Sequence, residues 1–330
     1  MSPSVPPLTW SQRWKKLQWR FASFRNRKNV RASLRLFPNV PKRLTNRVAG
    51  LYAVLGARDE TKYSGAAFCV IAEYLAISVA DPKTDKFLQA KDVNSAGELA
   101  VLTARVLLVG ETLFALRSCV GFSEFCKRLG QREFRATFYE LYCAKLLLRE
   151  GFEIFGRPIF GSRGEDFDFH AIRDGQQVNV EVTCLTRDDY SEKTLINALN
   201  TKRKQVPKDN PSLVFCVLPD SWSKNPSVWQ WQVAAICSKF LRNSTRRVSA
   251  IMLLLGYDLG PNERGGGGGY VLYSQGILHQ NPYFKIKNDD FVVGPRDMPW
   301  PPRREVLASL PNRYQEESEF YRWVDCLLPG

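Results

Sequence analysis

The sequence predicts an α/β protein whose N-terminal part is all-helical, and three observations carry that prediction. Between residues 46 and 130, apolar residues recur at three- and four-residue steps, with no strand-like alternation. After Gly130 alternating runs appear, and two of them, 166–173 and 177–185, are joined by Asp174-Gly175, a dipeptide that favours a tight hairpin. Further on, two short, largely apolar runs, Ser212–Leu218 and Val248–Gly256, flank a helical pattern, as buried strands of a mixed sheet do.

The elements follow in order. Residues 1–9 are rich in Pro and Ser and carry no pattern. Trp10, Trp14, Leu17, Phe21 and Phe24 recur at helical steps with Arg and Lys between them, so 10–36 reads as an amphipathic helix that Pro38 and Pro41 end. Helices are expected over Arg47–Gly56, Gly65–Ala80, Ser95–Leu116 and Gly121–Leu129, with Ser95 as an N-cap and Asp81-Pro82 as punctuation. Glu133–Glu150 is a strong helix closed by Gly151. Strands are expected at Glu153–Phe160, Asp166–Arg173 and Gln177–Leu185. A helix then runs from Ser191 to about Gln205, stopped by Pro207. Strand Ser212–Leu218, helix Val228–Leu241, strand Val248–Gly256 and strand Tyr270–Ser274 complete the order α-β-β-β-α-β-α-β-β. The chain therefore divides into a basic arm (1–45, amphipathic helix or disordered), an all-helical module (46–130) and an α/β domain (131–330). No internal repeat is present.

Charge is unevenly placed. The 330 residues hold 47 Lys and Arg against 33 Asp and Glu, a formal +14. The first acidic residue is Asp59, and thirteen basic residues precede it, so the rest of the chain is nearly neutral. With 44% apolar residues, global disorder is excluded. The apolar stretches Gly65–Ala80 and Ala100–Leu116 contain Glu73, Arg105 and Glu111, which argues against a membrane span. Eight cysteines stand singly, several inside apolar runs, and with only two histidines this pattern indicates reduced, packed thiols in a cytoplasmic protein without a structural zinc. The N-terminus lacks the apolar core of a secretory signal.

The stretch from Gly164 to Thr183 carries the chemistry. Strand alternation places Asp166, Asp168 and His170 on one face, and Glu181 with Thr183 on one face of the next strand. A hairpin with Asp on one arm and Glu on the other brings two carboxylates together, and a hard divalent cation relieves their repulsion. The run GEDFDFHAIRDGQQVNVEVT resembles the PD-(D/E)XK phosphodiesterase (restriction-endonuclease-like) superfamily, in which a hairpin bears an Asp and then a (D/E)-X-K tripeptide. The preceding TFYELYCAKLLLREGFEI resembles that family's leading helix, with Glu140 at the position of its additional carboxylate. The resemblance spans roughly 133–256. It implies a restriction-endonuclease-like αβββαβ core with a mixed central sheet. It also implies a nuclease that hydrolyses phosphodiester bonds with Mg²⁺ or Mn²⁺, held by Asp168, Glu181 and the Val182 carbonyl, with Glu140 positioning the cation's outer waters.

One departure stands out, because the family's lysine falls at position 183, where this chain has Thr183. In the next helix, SEKTLINALNTKRKQ, an apolar stripe through Leu195 and Ala198 or Leu199 continues into Lys202 and Gln205. Lys202 is therefore the expected migrated lysine and would orient water, Gln205 is its polar helper, and Lys204 is the rival. Asp166 competes with Asp168 for the aspartate position.

Other features have plainer readings. Gly265–Gly269 lacks the Gly-Lys-Ser/Thr ending of a phosphate loop and reads as a loop between strands. Cys184 has no adjacent base. Trp222, Trp229 and Trp231 suit base stacking or ordinary packing. In the arm, Arg13, Lys15, Lys16, Arg20, Arg25, Arg27 and Lys28 suit first the phosphate backbone of nucleic acid, with DNA preferred to RNA; an anionic membrane surface and an Arg-rich organelle transit peptide are the further readings. Two alternatives to a nuclease stand beside it: a non-catalytic nucleic-acid-binding protein on a degenerate nuclease fold, and a membrane-associated protein.

Overall fold

The computed structural model describes residues 27–55, 61–75, 86–89, 95–157, 167–207, 211–223, 225, 227–259, 269–273, 278–281 and 318–328. Chain contacts divide the molecule into two units, Met1–Ala76 with Pro301–Gly330, and Ile77–Trp300. The sequence divides instead at 45 and 130. The helices from residue 96 onward group with the strands because they pack on the helix that covers the sheet.

In the first unit, residues 27–36 are helical (α1), followed by α2 (Lys42–Leu55), α3 (Lys62–Tyr74) and a C-terminal helix, Glu319–Leu327. Arg43 pairs with Glu73, and Lys62 reaches Asp325 at 2.8 Å, tying the C-terminal helix to α3. Phe320, Trp323, Val324 and Leu327 are buried at i, i+3, i+4, i+7 spacing, which is why that segment is a helix. Of the arm's basic residues, Arg27 and Lys28 lie exposed at the start of α1. Arg13, Lys15, Lys16, Arg20 and Arg25 lie outside the described residues.

The second unit is a mixed α/β body. A 3₁₀ turn, Lys86–Leu88, precedes α4 (Ala96–Leu116), which is capped as expected by Ser95, whose hydroxyl accepts from the Glu98 amide. By length and composition alone, Gly97–Leu116 of α4 is apolar enough to cross a membrane. Here Val106, Val109, Leu113, Phe114 and Leu116 are buried, α4 packs on the helix described next but one, and the charge of Glu111 is met by Lys145 at 2.7 Å. Then come α5 (Phe122–Gln131) and α6 (Phe134–Arg149), the latter buried over almost its whole length.

The sheet follows: β1 (Glu153–Gly156), β2 (Phe169–Arg173) and β3 (Gln176–Cys184) pair antiparallel. α7 (Glu192–Gln205) then crosses to β4 (Ser212–Val217), parallel to β3. A short helix α8 (Asp220–Ser223), a π-helical segment Ser227–Val233 and α9 (Ala234–Asn243) lead to β5 (Ala250–Leu259), parallel to β4. β6 (Gly269–Tyr273) and β7 (Leu278–Gln280) both pair antiparallel with β5. The predicted order is thus present with small additions: α8, β7 and a π-helical start to the Val228–Leu241 helix. The strands β4 and β5 are uniformly apolar over Leu213–Val217 and Ala250–Leu255, as strands covered on both faces require. Leu195 and Leu199 of α7 and Phe240 and Leu241 of α9 join Val214, Cys216, Ile251 and Leu253 in one apolar cluster.

One backbone approach fixes where α5 lies. Gly156 donates to the Val120 carbonyl at 2.8 Å, and Gly121 enters α5 with φ of +76°. A Cβ on Gly121 would strike the Gly156 carbonyl, and one on Gly156 would lie 2.6 Å from the Gly121 carbonyl oxygen. Gly121→Val is therefore expected to destabilise the protein by roughly 2 kcal/mol or more, from the strained φ and the clash together. Urea unfolding read by circular dichroism checks this.

Candidate active site

The hairpin is built as its turn dictates. Asp174 and Gly175 have φ of +53° and +75°, the left-handed pair of a two-residue type I′ loop, and Arg173 faces Gln176 across it. That register sets Phe169 opposite Val180 and leaves Asp168 just ahead of β2, beside Glu181. The two carboxylates then hold one another's strands. The Val182 amide donates to Asp168 Oδ2 at 2.7 Å, and the Asp168 amide donates to Glu181 Oε2 at 3.1 Å while also reaching the Val180 carbonyl. Glu181 is fully buried and Asp168 nearly so.

Glu181 lies on the sheet face covered by α7. Leu195 and Leu199 anchor that helix, and the next residue on the same stripe, Lys202, donates from Nζ to Glu181 Oε1. Burial alone would lower the Lys202 pKa, but Glu181 and Asp168 outweigh it and hold the ammonium charged. Lys204 is exposed, so the geometry favours Lys202. Gln205 stands at the end of α7, and its Oε1 is enclosed with no hydrogen-bond donor. Thr183 is buried in β3.

Glu140 reaches the same place from α6, through a residue the sequence reading passed over. Arg128 on α5 is 5% exposed. Its Nη1 lies 3.1 Å from Glu140 Oε2 and 3.9 Å from Asp168 Oδ1, and its guanidinium sits over the Phe125 ring. Arg132, one turn on and more exposed, lies 3.8 Å from Glu140 Oε1. The signal was present: Phe125, Arg128, Leu129 and Arg132 recur at i, i+3, i+4, i+7, so both arginines continue an apolar stripe, the same criterion that selected Lys202.

Burial, then the charge of Asp168, pushes the Glu140 carboxyl up to about 8, although Arg128, Arg132 and Lys202 pull the other way. The 3.1 Å contact has ion-pair geometry, yet at neutral pH the burial cost prevails and the contact is chiefly one between a guanidinium and a carboxylic acid. Glu181 is likewise pushed well above the usual carboxylate range, by burial first and by Asp168 second. A carboxyl with a raised pKa in the native state adds stability that is full below its unfolded value near 4.5 and is lost as pH rises through the native value. Glu140→Gln removes that dependence. In chelator-treated protein the variant is expected to gain in melting temperature relative to the natural chain from pH 5 to pH 8.5. Parallel melts across that range check it.

The remaining candidates are placed as follows. Asp166 and Gly265–Gly268 lie outside the described residues. His170 stacks on Phe155 at 4.8 Å, and burial, then Arg157, lowers its pKa. The eight cysteines are thiols outside any disulfide, with Cys69, Cys143, Cys216 and Cys237 buried. Trp222 and Trp229 belong to the core, whereas Trp231 is 73% exposed and alone of the three has a face open to stacking.

No family model, curated protein or solved structure matches the chain. The reading of the site therefore rests on its own donors. Among the described residues, no group of three or more His, Cys, Asp or Glu side chains is placed to hold a metal ion. What the structure brings together is a pair of carboxylates, Asp168 and Glu181, both hard oxygen donors. Those fit Mg²⁺ in kind, since that ion commonly takes one or two carboxylates and completes its shell with water and substrate phosphate. They suit zinc less well, since its sites are usually built on His and Cys.

Proposed function

We propose that the chain is a Mg²⁺- or Mn²⁺-dependent phosphodiesterase that cleaves nucleic acid on a restriction-endonuclease-like core. The observation that carries this reading is the Lys202–Glu181 contact. A lysine absent from position 183 is supplied from α7 to the carboxylate of the hairpin, and the apolar stripe that aims it is independent of the hairpin. The order α6, β1–β3 antiparallel, α7 and then β4 parallel to β3 agrees with the αβββαβ core of the resemblance. Asp168, Glu181 and the Val182 carbonyl would hold the cation, which when bound supplies charge neutralisation at the scissile phosphate and acidifies water. Lys202 would orient the attacking water and stabilise charge developing on the phosphate oxygens. Glu140 and Gln205 would hold water around it. The basic arm, with Arg13, Lys15, Lys16, Arg20, Arg25, Arg27 and Lys28, would grip the phosphate backbone.

A second reading has its own support. Both Glu181 oxygens and one Asp168 oxygen are already engaged by backbone amides and Lys202, as in a purely structural network. On that reading the chain is a nucleic-acid-binding protein on a degenerate nuclease fold. Purified protein given Mg²⁺ or Mn²⁺ with labelled DNA and RNA separates the two. Cleavage that chelator abolishes supports the enzyme. Salt-sensitive binding with no cut in either metal supports the binder and ends the enzyme reading.

A further inference from the structure

We propose that Arg128 is a phosphate-binding residue of this site, and that its Nε–Nη2 edge couples the uptake of metal to the uptake of phosphate. The inference rests on the reading of Asp168 and Glu181 as metal ligands and goes beyond it to a residue outside the resemblance.

Two independent observations carry it. The first is charge. Three carboxylates, Glu140, Asp168 and Glu181, share this space with three cations, Arg128, Arg132 and Lys202. With all six ionised their formal charges balance, and with Glu140 protonated the cations are in excess by one. If Asp168 and Glu181 take up a divalent ion, at least two positive charges are left over among groups that are mostly buried, where uncompensated charge is costly. A phosphate group entering with the cation cancels them. The same two-carboxylate arrangement leaves the cation's shell to be completed by phosphate oxygens. Metal alone is therefore held weakly, and each ligand raises the affinity of the other by the same factor.

The second observation is the orientation of the guanidinium. Arg128 Nη1 lies 3.1 Å from Glu140 Oε2 without a hydrogen bond to it and the guanidinium sits over the Phe125 ring, while Nε and Nη2 are enclosed without an acceptor. Those two nitrogens are neighbours on one edge, and their N–H bonds run parallel as a fork that matches two oxygens of a phosphate. A buried guanidinium with its bidentate edge unused is costly unless a ligand supplies the oxygens. The cluster meets solvent at Arg132, whose side chain is 42% exposed, and at Lys202, at 20%.

The test measures Mn²⁺ binding by electron paramagnetic resonance, alone and with thymidine 5′-monophosphate, which carries a phosphate but no bond to cut. In the full natural chain, the mononucleotide is expected to tighten Mn²⁺ binding by about tenfold. Arg128→Lys keeps the charge and loses the fork, so it is expected to lose most of that coupling, as is Arg128→Met. With Mg²⁺ in place of Mn²⁺, the Arg128 Nε–H resonance of the natural chain should shift when the mononucleotide is added, a readout that needs no variant to fold. Coupling that survives in both variants, or an Nε–H resonance that does not move, overturns the role of Arg128 and leaves the metal reading standing. No Mn²⁺ bound with or without the mononucleotide overturns both.

Discussion

Asp168→Asn is expected to keep its fold and its affinity for nucleic acid while losing on the order of a thousandfold in cleavage rate with Mg²⁺ or Mn²⁺. The substitution is clean for a structural reason. Asp168 Oδ2 accepts from the Val182 amide, and the oxygen of an asparagine preserves that bond, so the hairpin stays locked. The other side-chain atom, now an NH₂, meets Arg128 only at a distance near 3.9 Å, too far for serious repulsion between donors. What disappears is one negative oxygen that, on the enzyme reading, would face the cation. Glu181→Gln is expected to lose as much activity and, unlike the aspartate change, some stability. Its two oxygens accept separately from the Asp168 amide and from Lys202, and an amide satisfies only one of these donors. Single-turnover cleavage of labelled DNA and RNA, paired with thermal melts, checks both. Cleavage undiminished in Asp168→Asn would remove the carboxylate pair from the mechanism.

Much of this site was legible because each local signal had one physical cause. Asp174-Gly175 demands positive φ at two consecutive residues, so the turn and the register of β2 on β3 follow from two letters. Ser95 caps the helix it was expected to cap and Ser191 opens α7 the same way, because each hydroxyl accepts from the amide three residues on. Lys202 was legible because a charge on an apolar stripe has to point inward. Arg128 met the same criterion on α5 but escaped notice, since its partners, Glu140 and Asp168, lie on two later elements and only the fold reveals that α5 adjoins them. The cause of that adjacency, the Gly121–Gly156 approach, depends on two glycines distant in sequence, each of which reads locally as a turn residue. The C-terminal helix was missed for another reason. Its Phe320, Trp323, Val324 and Leu327 stripe was visible, but it follows a long stretch rich in Pro and Arg.

Lys202→Met separates the enzyme from the structural network most sharply, because it predicts two effects with different pH behaviour. Removing one partner of a buried pair leaves the other charged and unpaired, at a cost of about 3 kcal/mol or somewhat less, since the Lys202 side chain is 20% exposed. Glu181 has an escape, however. Burial and Asp168 already hold its pKa well above the ordinary range, with Lys202 the main opposing influence. Without Lys202 that pKa rises further and Glu181 binds a proton instead of remaining a buried anion. The sign follows from linkage: the native variant holds a proton that the unfolded chain releases above about 4.5, so the variant's stability falls as pH rises. The deficit relative to the natural chain is therefore expected to be small near pH 5 and largest above neutrality. Activity behaves differently. If Lys202 orients water at the phosphate, cleavage by the variant stays about a hundredfold or more below the natural chain even at acidic pH, where both are folded. Nucleic-acid binding, if the basic arm carries it as proposed, is expected to be retained. Lys202→Arg keeps the charge and should restore stability better than activity, since the guanidinium fork does not reproduce a compact ammonium. A variant that cleaves like the natural chain wherever it is folded would mark Lys202 as the counter-ion of Glu181 and nothing more.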